Sequence, residues 1–194
     1  MNPKPYLIIV TGRPGSGKTT FAKKLGSEIF MPVICRDEIK EGYVHSFGKK
    51  HTKLPANANK EATDIFFDIL MELISRNISV IAEAAFQHEV WSCHLGRFIE
   101  KTKTHLIICK PDARVALERF INRGLSNPRR EYFHGDKGVN MARQGIDLSV
   151  SDYIEPQFDI PTLYIDTTGD YNPSIKDVVS IIFRPVGTIS CCSS

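Results

Sequence analysis

The sequence predicts an α/β fold: a five-stranded parallel sheet with helices on both faces. Short, wholly apolar runs recur along the chain, helix-period segments separate them, and the runs do not alternate with polar residues. Strands of that kind are covered on both faces, and strands joined through helices run parallel. With 194 residues, 42% of them hydrophobic, the chain is long enough to bury a core on each side of one sheet, so a single domain over 1–194 is expected.

The first strand is YLIIV at residues 6–10, followed by a helical stretch at 18–30. PVIC at 32–35 is the second strand, and a helix opens at Asp37 and runs to about residue 45. In the helix at 60–76, Ile65, Ile69, Leu73 and Phe66, Leu70 recur three and four apart against polar Asp64, Asp68 and Glu72. SVIAEA at 79–84 is the third strand, 91–101 a helix, THLIIC at 104–109 the fourth strand and 111–123 a helix. TLYID at 162–166 closes the sheet, and NPS supplies a cap and a turn before a last helix at 174–183. Two stretches, 45–59 and 124–161, lack periodicity and emerge at the carboxyl edge of the sheet, where ligands collect; a lid is expected over about 124–150.

Gly12, Arg13, Pro14, Gly15, Ser16, Gly17, Lys18 and Thr19 spell GxxxxGKT, and Thr20 follows. An apolar strand precedes the motif and an amphipathic helix follows it, as a phosphate-binding loop requires. Its glycines let the chain turn tightly with backbone N–H groups aimed at phosphate oxygens, and the helix start adds positive potential. Lys18 is expected to reach the β- and γ-phosphates and Thr19 to offer its hydroxyl to Mg2+, so ATP or GTP with Mg2+ is the expected ligand.

A guanine-specifying NKxD is absent, since the one Asn-Lys pair, Asn59-Lys60, precedes Glu61 and Ala62. A chain of 194 residues leaves little room for the extra modules of an ATP-driven motor. What remains is a small phosphotransferase with the three-layer P-loop NTPase architecture. Asp37 follows the second strand at a helix start, where a carboxylate faces the γ-phosphate and can take a proton from an acceptor hydroxyl. An aspartate before EIK is equally an N-cap with no chemistry. Glu83, at the end of the third strand, is placed to hold Mg2+ through water or to hold substrate, or it is a rim carboxylate. Arg119 and Arg123 lie four apart on one helical face and lead to Arg129 and Arg130, which suits either a phosphate-neutralising lid or a solvated face paired with Glu118.

The segments TGRPGSGKTTFAKKL, CRDEIK, VIAEAAF, PDARVALERFINRG and LYIDTT resemble the P-loop kinases related to polynucleotide 5′-hydroxyl kinase, zeta-toxin-like kinases and chloramphenicol phosphotransferase. The resemblance spans most of the chain and implies a lid like that of nucleoside-monophosphate kinases. It implies Asp37 as general base, Arg36 as a substrate contact, Arg119 beside the nucleotide base, Arg123 on phosphates, Arg130 at the substrate, and Thr168 and Gly169 near the adenine. The family pattern at Glu83 is more often an aspartate followed by Asn or Thr, whereas this chain reads Glu83-Ala84-Ala85-Phe86.

Lys49, Lys50, His51 and Lys53 make the 45–59 stretch basic, which favours an anionic acceptor. No aromatic residue is interleaved with those lysines, so a small hydroxylated molecule ranks above a nucleic-acid end. A non-catalytic ATP-binding module or a slow ATPase is the remaining alternative. His88 and His134 lack a spaced partner and stay outside the catalytic set. Cys35 and Cys109 close apolar runs and are expected in the core, while Cys93, Cys191 and Cys192 complete a set with no metal spacing. A net charge of +3 excludes little, no apolar run reaches membrane-span length, and a reduced cytoplasmic setting with a frayed CCSS tail is expected.

Overall fold

The computed structural model describes residues 3–127, 129–135, 137–144 and 153–184. Five strands, β1 (Tyr6–Thr11), β2 (Val33–Cys35), β3 (Val80–Glu83), β4 (Lys103–Cys109) and β5 (Thr162–Ile165), pair in the order β2-β3-β1-β4-β5. Every pairing is parallel. The helices are α1 (Lys18–Glu28), α2 (Arg36–Phe47), α3 (Ala58–Ser75), α4 (His88–Ile99), α5 (Ala113–Ser126), α6 (Arg130–Phe133), α7 (Lys137–Arg143) and α8 (Ile175–Ile182).

Successive side chains of a strand point to opposite faces, and β1 divides the core accordingly. Leu7 and Ile9 join Phe66, Phe67 and Leu70 of α3 and Trp91 and Phe98 of α4. Ile8 and Val10 join Phe21 and Leu25 of α1 and Val178 of α8 on the other side. Burial on both faces is why these strands read as unbroken apolar runs. That expectation fails at β5, an edge strand whose Tyr164 is 51% exposed beneath the Lys110 ammonium. A strand with one neighbour has less to cover it.

The register sets the site. Val10 pairs with Glu83, Glu83 with Cys35, and Cys109 with Ile165, so the strands end along one edge. Two stretches expected to be irregular carry structure. Residues 45–59 hold the end of α2, a 3-10 turn at His51–Lys53 and the start of α3, and α5 continues to Ser126 before α6 and α7. Helices of four and seven residues are too short to show a period. α4 begins at His88, earlier than its apolar pattern. The Asp112 carboxylate caps α5 by accepting from the N–H groups of Arg114 at 2.8 Å and Val115 at 3.3 Å. Ser174 and Asp177 form a reciprocal capping box on α8. Among the described residues no helix is long and apolar enough to cross a membrane.

α1 packs so closely on β2 that a Cβ at Gly26 would lie 2.5 Å from Val33 Cγ2 and 2.9 Å from the Met31 carbonyl oxygen. A helical Gly→Ala change ordinarily gains roughly 0.5–1 kcal/mol. Here overpacking reverses the sign, and Gly26→Ala is expected to lower the unfolding free energy by about 1–3 kcal/mol in urea denaturation.

Candidate active site

β1 stops at Thr11 and α1 starts at Lys18, and the phosphate-loop sequence forms the turn between them. Gly15 has φ 78°, and a Cβ there would lie 2.0 Å from the Ala116 carbonyl oxygen of α5. At Gly12 it would lie 2.5 Å from the Cys109 carbonyl oxygen at the end of β4. Only glycine allows the loop to nest against both elements. No side chain caps α1, so its first N–H groups face the loop interior, and the buried Ser16 Oγ lacks a protein partner. Together these make an anion cradle with donors in excess of protein acceptors.

Glu83 stands below this cradle with 3% of its surface exposed. Thr19 donates its hydroxyl to Glu83 Oε2 at 2.9 Å, and Lys18 Nζ lies 4.0 Å from Oε1. Burial raises the Glu83 pKa above the ordinary carboxylate value, and Lys18 and Thr19 oppose that only in part, with Asp37 adding repulsion. The strand end is pinned in place. The Thr11 hydroxyl donates to the Ala84 carbonyl at 2.8 Å and shares a 3.1 Å hydrogen bond with the Tyr153 hydroxyl, while Phe86 stacks on Phe67.

Asp37, on the first turn of α2, keeps 55% of its side chain exposed. Burial of its surroundings raises its pKa, but Lys18, His134 and Arg36 outweigh that and hold the carboxyl below its ordinary value. The expected base and the phosphate-loop lysine therefore sit within one electrostatic neighbourhood. Arg36 reaches in two directions, with Nη1 3.4 Å from Asp37 Oδ1 and Nη2 donating to the Asn59 carbonyl at 2.9 Å. Cys35 and Cys109 are buried as expected; burial pushes the Cys109 thiol up to about 12 and raises Cys35 as well, so both are inert.

On the far side of the loop lies a cavity of about 300 Å³ lined by Gly17, Thr20, Lys24, Arg119, Gly169 and Tyr171 among others. Arg119 donates to the carbonyls of Thr167 and Thr168, each at 2.7 Å, and the Thr167 hydroxyl donates to the Ser16 carbonyl at 2.7 Å. The guanidinium is thereby held as a fixed plane at the cavity wall. Of the residues singled out in the sequence, Thr20, Arg119 and Gly169 line this cavity, whereas Thr168 supports Arg119 through its carbonyl and accepts the Asp112 N–H through its hydroxyl at 2.9 Å. Lys24 and Tyr171 were not expected. Lys24 had a legible signal, since Gly17, Thr20 and Lys24 fall on one face of α1. Tyr171 had none, because its place comes from packing edge-on against Phe21.

The segment expected to form a lid follows α5, and its described part, with α6 and α7, is clasped to α2 and the lysine stretch. His134 is buried, with Nε2 2.7 Å from Glu41 Oε1, and His45 packs on Phe133. Glu131 receives Lys50 on one oxygen and Arg143 on the other, each at 2.6 Å, and these hydrogen bonds hold its carboxyl down to about 2. Lys50 is thus engaged within the protein, which reduces the open basic surface read from the sequence. Arg123 is exposed in the last turn of α5, whereas Arg130 lines a small gap inside the lid beside Glu131 and His134. His88 is structural: its Nδ1 accepts the Gln157 N–H at 3.2 Å and its ring stacks on Phe158.

Residues 7–143 match the AAA_33 family, described as an AAA domain. A protein of Chloroflexus aurantiacus, provisionally called a kinase, is similar with a TM-score of 0.72 at 21% identity, over 94% of this chain and 96% of that one. An APS kinase of Mycobacterium tuberculosis, solved in complex with AMPPNP and APS, gives 0.60 at 15% identity over 93% and 98% of the two chains. A sugar kinase from a Janibacter species gives 0.57 at 14% over 92% and 94%. At these identities the likeness establishes the fold, which is that of the P-loop kinases. No curated protein matches the sequence.

The Lys50–Glu131–Arg143 bridge is solvent-facing, so salt weakens it. Glu131→Gln is expected to speed backbone hydrogen exchange across α6 while leaving α1 unchanged, and high salt should produce the same pattern in the unaltered protein. Exchange mass spectrometry at low and high ionic strength checks both.

Proposed function

Because the chain belongs to the AAA_33 family of AAA domains and has the P-loop kinase fold, we propose that it is an ATP-dependent phosphotransferase acting on a hydroxyl of a small molecule. The feature that supports this reading is Asp37 on the first turn of α2, just past the end of β2, with Lys18 and His134 near enough to hold its carboxyl below the ordinary value. A kinase needs an anion cradle and a base facing it, and a binding module needs only the first.

Residues Gly12 to Thr20 hold the triphosphate through loop N–H groups and Lys18, and Arg119, Thr168 and Gly169 border the base. Thr19 and Glu83 fit Mg2+ well, as oxygen donors around a buried carboxylate short of positive charge. When bound, Mg2+ supplies charge neutralisation at the β- and γ-oxygens. Asp37 orients the acceptor hydroxyl and takes its proton as the new O–P bond forms and the bond from the γ-phosphorus to the β,γ-bridging oxygen breaks, with ADP as the leaving group. Lys18 and Arg123 neutralise charge on the moving phosphoryl group, and Arg130 serves the acceptor from the lid. Free thiols at Cys35, Cys93 and Cys109 suit a reduced cytoplasmic setting.

A small acceptor is supported by the His134–Glu41 contact, which draws the lid onto α2 one turn from Asp37. A nucleic-acid end is the second reading, favoured by Phe47, 42% exposed beside Lys49 and near Lys53. γ-Labelled ATP offered with sugars, nucleosides, hydroxylated antibiotics and oligonucleotide 5′ ends separates the two. Label on small molecules supports the first reading, label on oligonucleotides the second, and free phosphate regardless of additive points to an ATPase.

Asp37→Asn is expected to reduce transfer by about 100-fold or more while ATP affinity stays within about twofold. Rate and equilibrium binding measured on the same preparation check this, and undiminished transfer would remove Asp37 from the role of base. Since the Asp37 pKa is lowered, transfer in the unaltered protein should hold steady downward from neutral pH and fall only below the usual aspartate range.

A further inference from the structure

We propose that Arg36 is a positioning residue that fixes the Asp37 carboxylate by tying the start of α2 to the first turn of α3. The inference rests on the phosphotransferase reading above and assigns Arg36 a different task from the substrate contact implied by the sequence resemblance.

The geometry distinguishes the two tasks. Arg36 has 13% of its side chain exposed, against 55% for the adjacent Asp37. Its Nη2 donates to the Asn59 carbonyl at 2.9 Å and lies 3.4 Å from both Asn59 Oδ1 and Thr63 Oγ1. Its Nη1 lies 3.4 Å from Asp37 Oδ1. The Nε has no partner, yet it is shielded from solvent, so that donor faces protein rather than an incoming acceptor.

One guanidinium therefore spans two elements, with one arm on α3 and the other on the base. Thr63 strengthens the anchor by donating its hydroxyl to the same Asn59 carbonyl at 2.9 Å. A planar, rigid fork suits this task, because fixing one arm fixes the direction of the other. With Oδ1 of Asp37 facing Arg36, Oδ2 is left for the acceptor proton. Asp37 is also faced by Lys18 from α1 and His134 from the lid, and by Glu83 across the sheet edge. Among these cations, Arg36 is the one in hydrogen-bond contact with its carboxylate among the described residues.

The test uses Arg36→Met, Arg36→Lys and Thr63→Val in the full chain, with melting curves to establish folding. The readouts are ATP affinity, acceptor KM, kcat against pH, and the Asp37 carboxyl titration followed by carbon-13 NMR. Arg36→Met should lower kcat by about tenfold or more with KM and ATP affinity within about twofold. Loss of the cation should move the Asp37 titration, and the acid limb of kcat, to higher pH.

Arg36→Lys keeps the charge, so the titration should stay near its original place. An ammonium cannot reach both partners, so kcat should still fall. Thr63→Val should show a smaller loss of kcat in the same direction, and it decides together with Arg36→Lys if Arg36→Met does not fold. A raised KM with kcat unchanged, or an Asp37 titration unmoved in Arg36→Met, overturns the proposal. If the unaltered chain transfers phosphate to no acceptor, the phosphotransferase reading falls, while the NMR titration still decides whether Arg36 governs Asp37.

Discussion

A carboxylate buried at the end of an apolar strand must be compensated, and much of this structure is organised around doing so for Glu83. The parallel register brings Val10 and Cys35 to either side of it, which places the phosphate loop on one flank and the start of α2 on the other. Lys18 and Thr19 turn inward to it from the first turn of α1. An unpaired buried charge is among the costliest features a fold can carry. Glu83, Lys18 and Thr19 are therefore held as one unit, and Asp37 takes its electrostatic surroundings from the same lysine.

The two flanks of the phosphate loop are built differently. Around the cradle, glycines press against backbone carbonyls and Arg119 grips two more, so the parts fit through main-chain atoms. Where α2 and the lysine stretch meet α6 and its flanks, the joints are side-chain pairs: Glu41 with His134, Lys50 with Glu131, His45 against Phe133. Main-chain joints are rigid, whereas exposed ion pairs yield to salt and competing ligands. A segment held by joints of the second kind can open without disturbing the core.

What the sequence made legible follows the same division. β1, the GxxxxGKT turn and α1 are consecutive, and each is specified by local rules, so their residues were readable in order. Asp37 and Glu83 were found because strand ends can be located from apolar runs. The cavity wall was half readable: Lys24 follows from helical spacing, but Tyr171 depends on a contact with Phe21. α6 and α7 left no periodic trace, and Lys50 looked available until Glu131 was brought to it from another element. Nor does anything local say that Asn59 and Thr63 lie against Arg36. These omissions share a cause: tertiary contacts between residues far apart in the chain leave no mark on either segment.

The backbone grip of Arg119 on Thr167 and Thr168 also bears on how such a protein can change over generations. Carbonyl oxygens survive any substitution at the residues that carry them, so this cavity wall tolerates drift in the β5–α8 loop without losing its shape. The lid joints have no such insurance, since a single exchange at Glu41 or Glu131 rewrites the wall beside Asp37. A lineage with this architecture can reshape the face at α2 and α6 while the phosphate loop and its flanks stay constant.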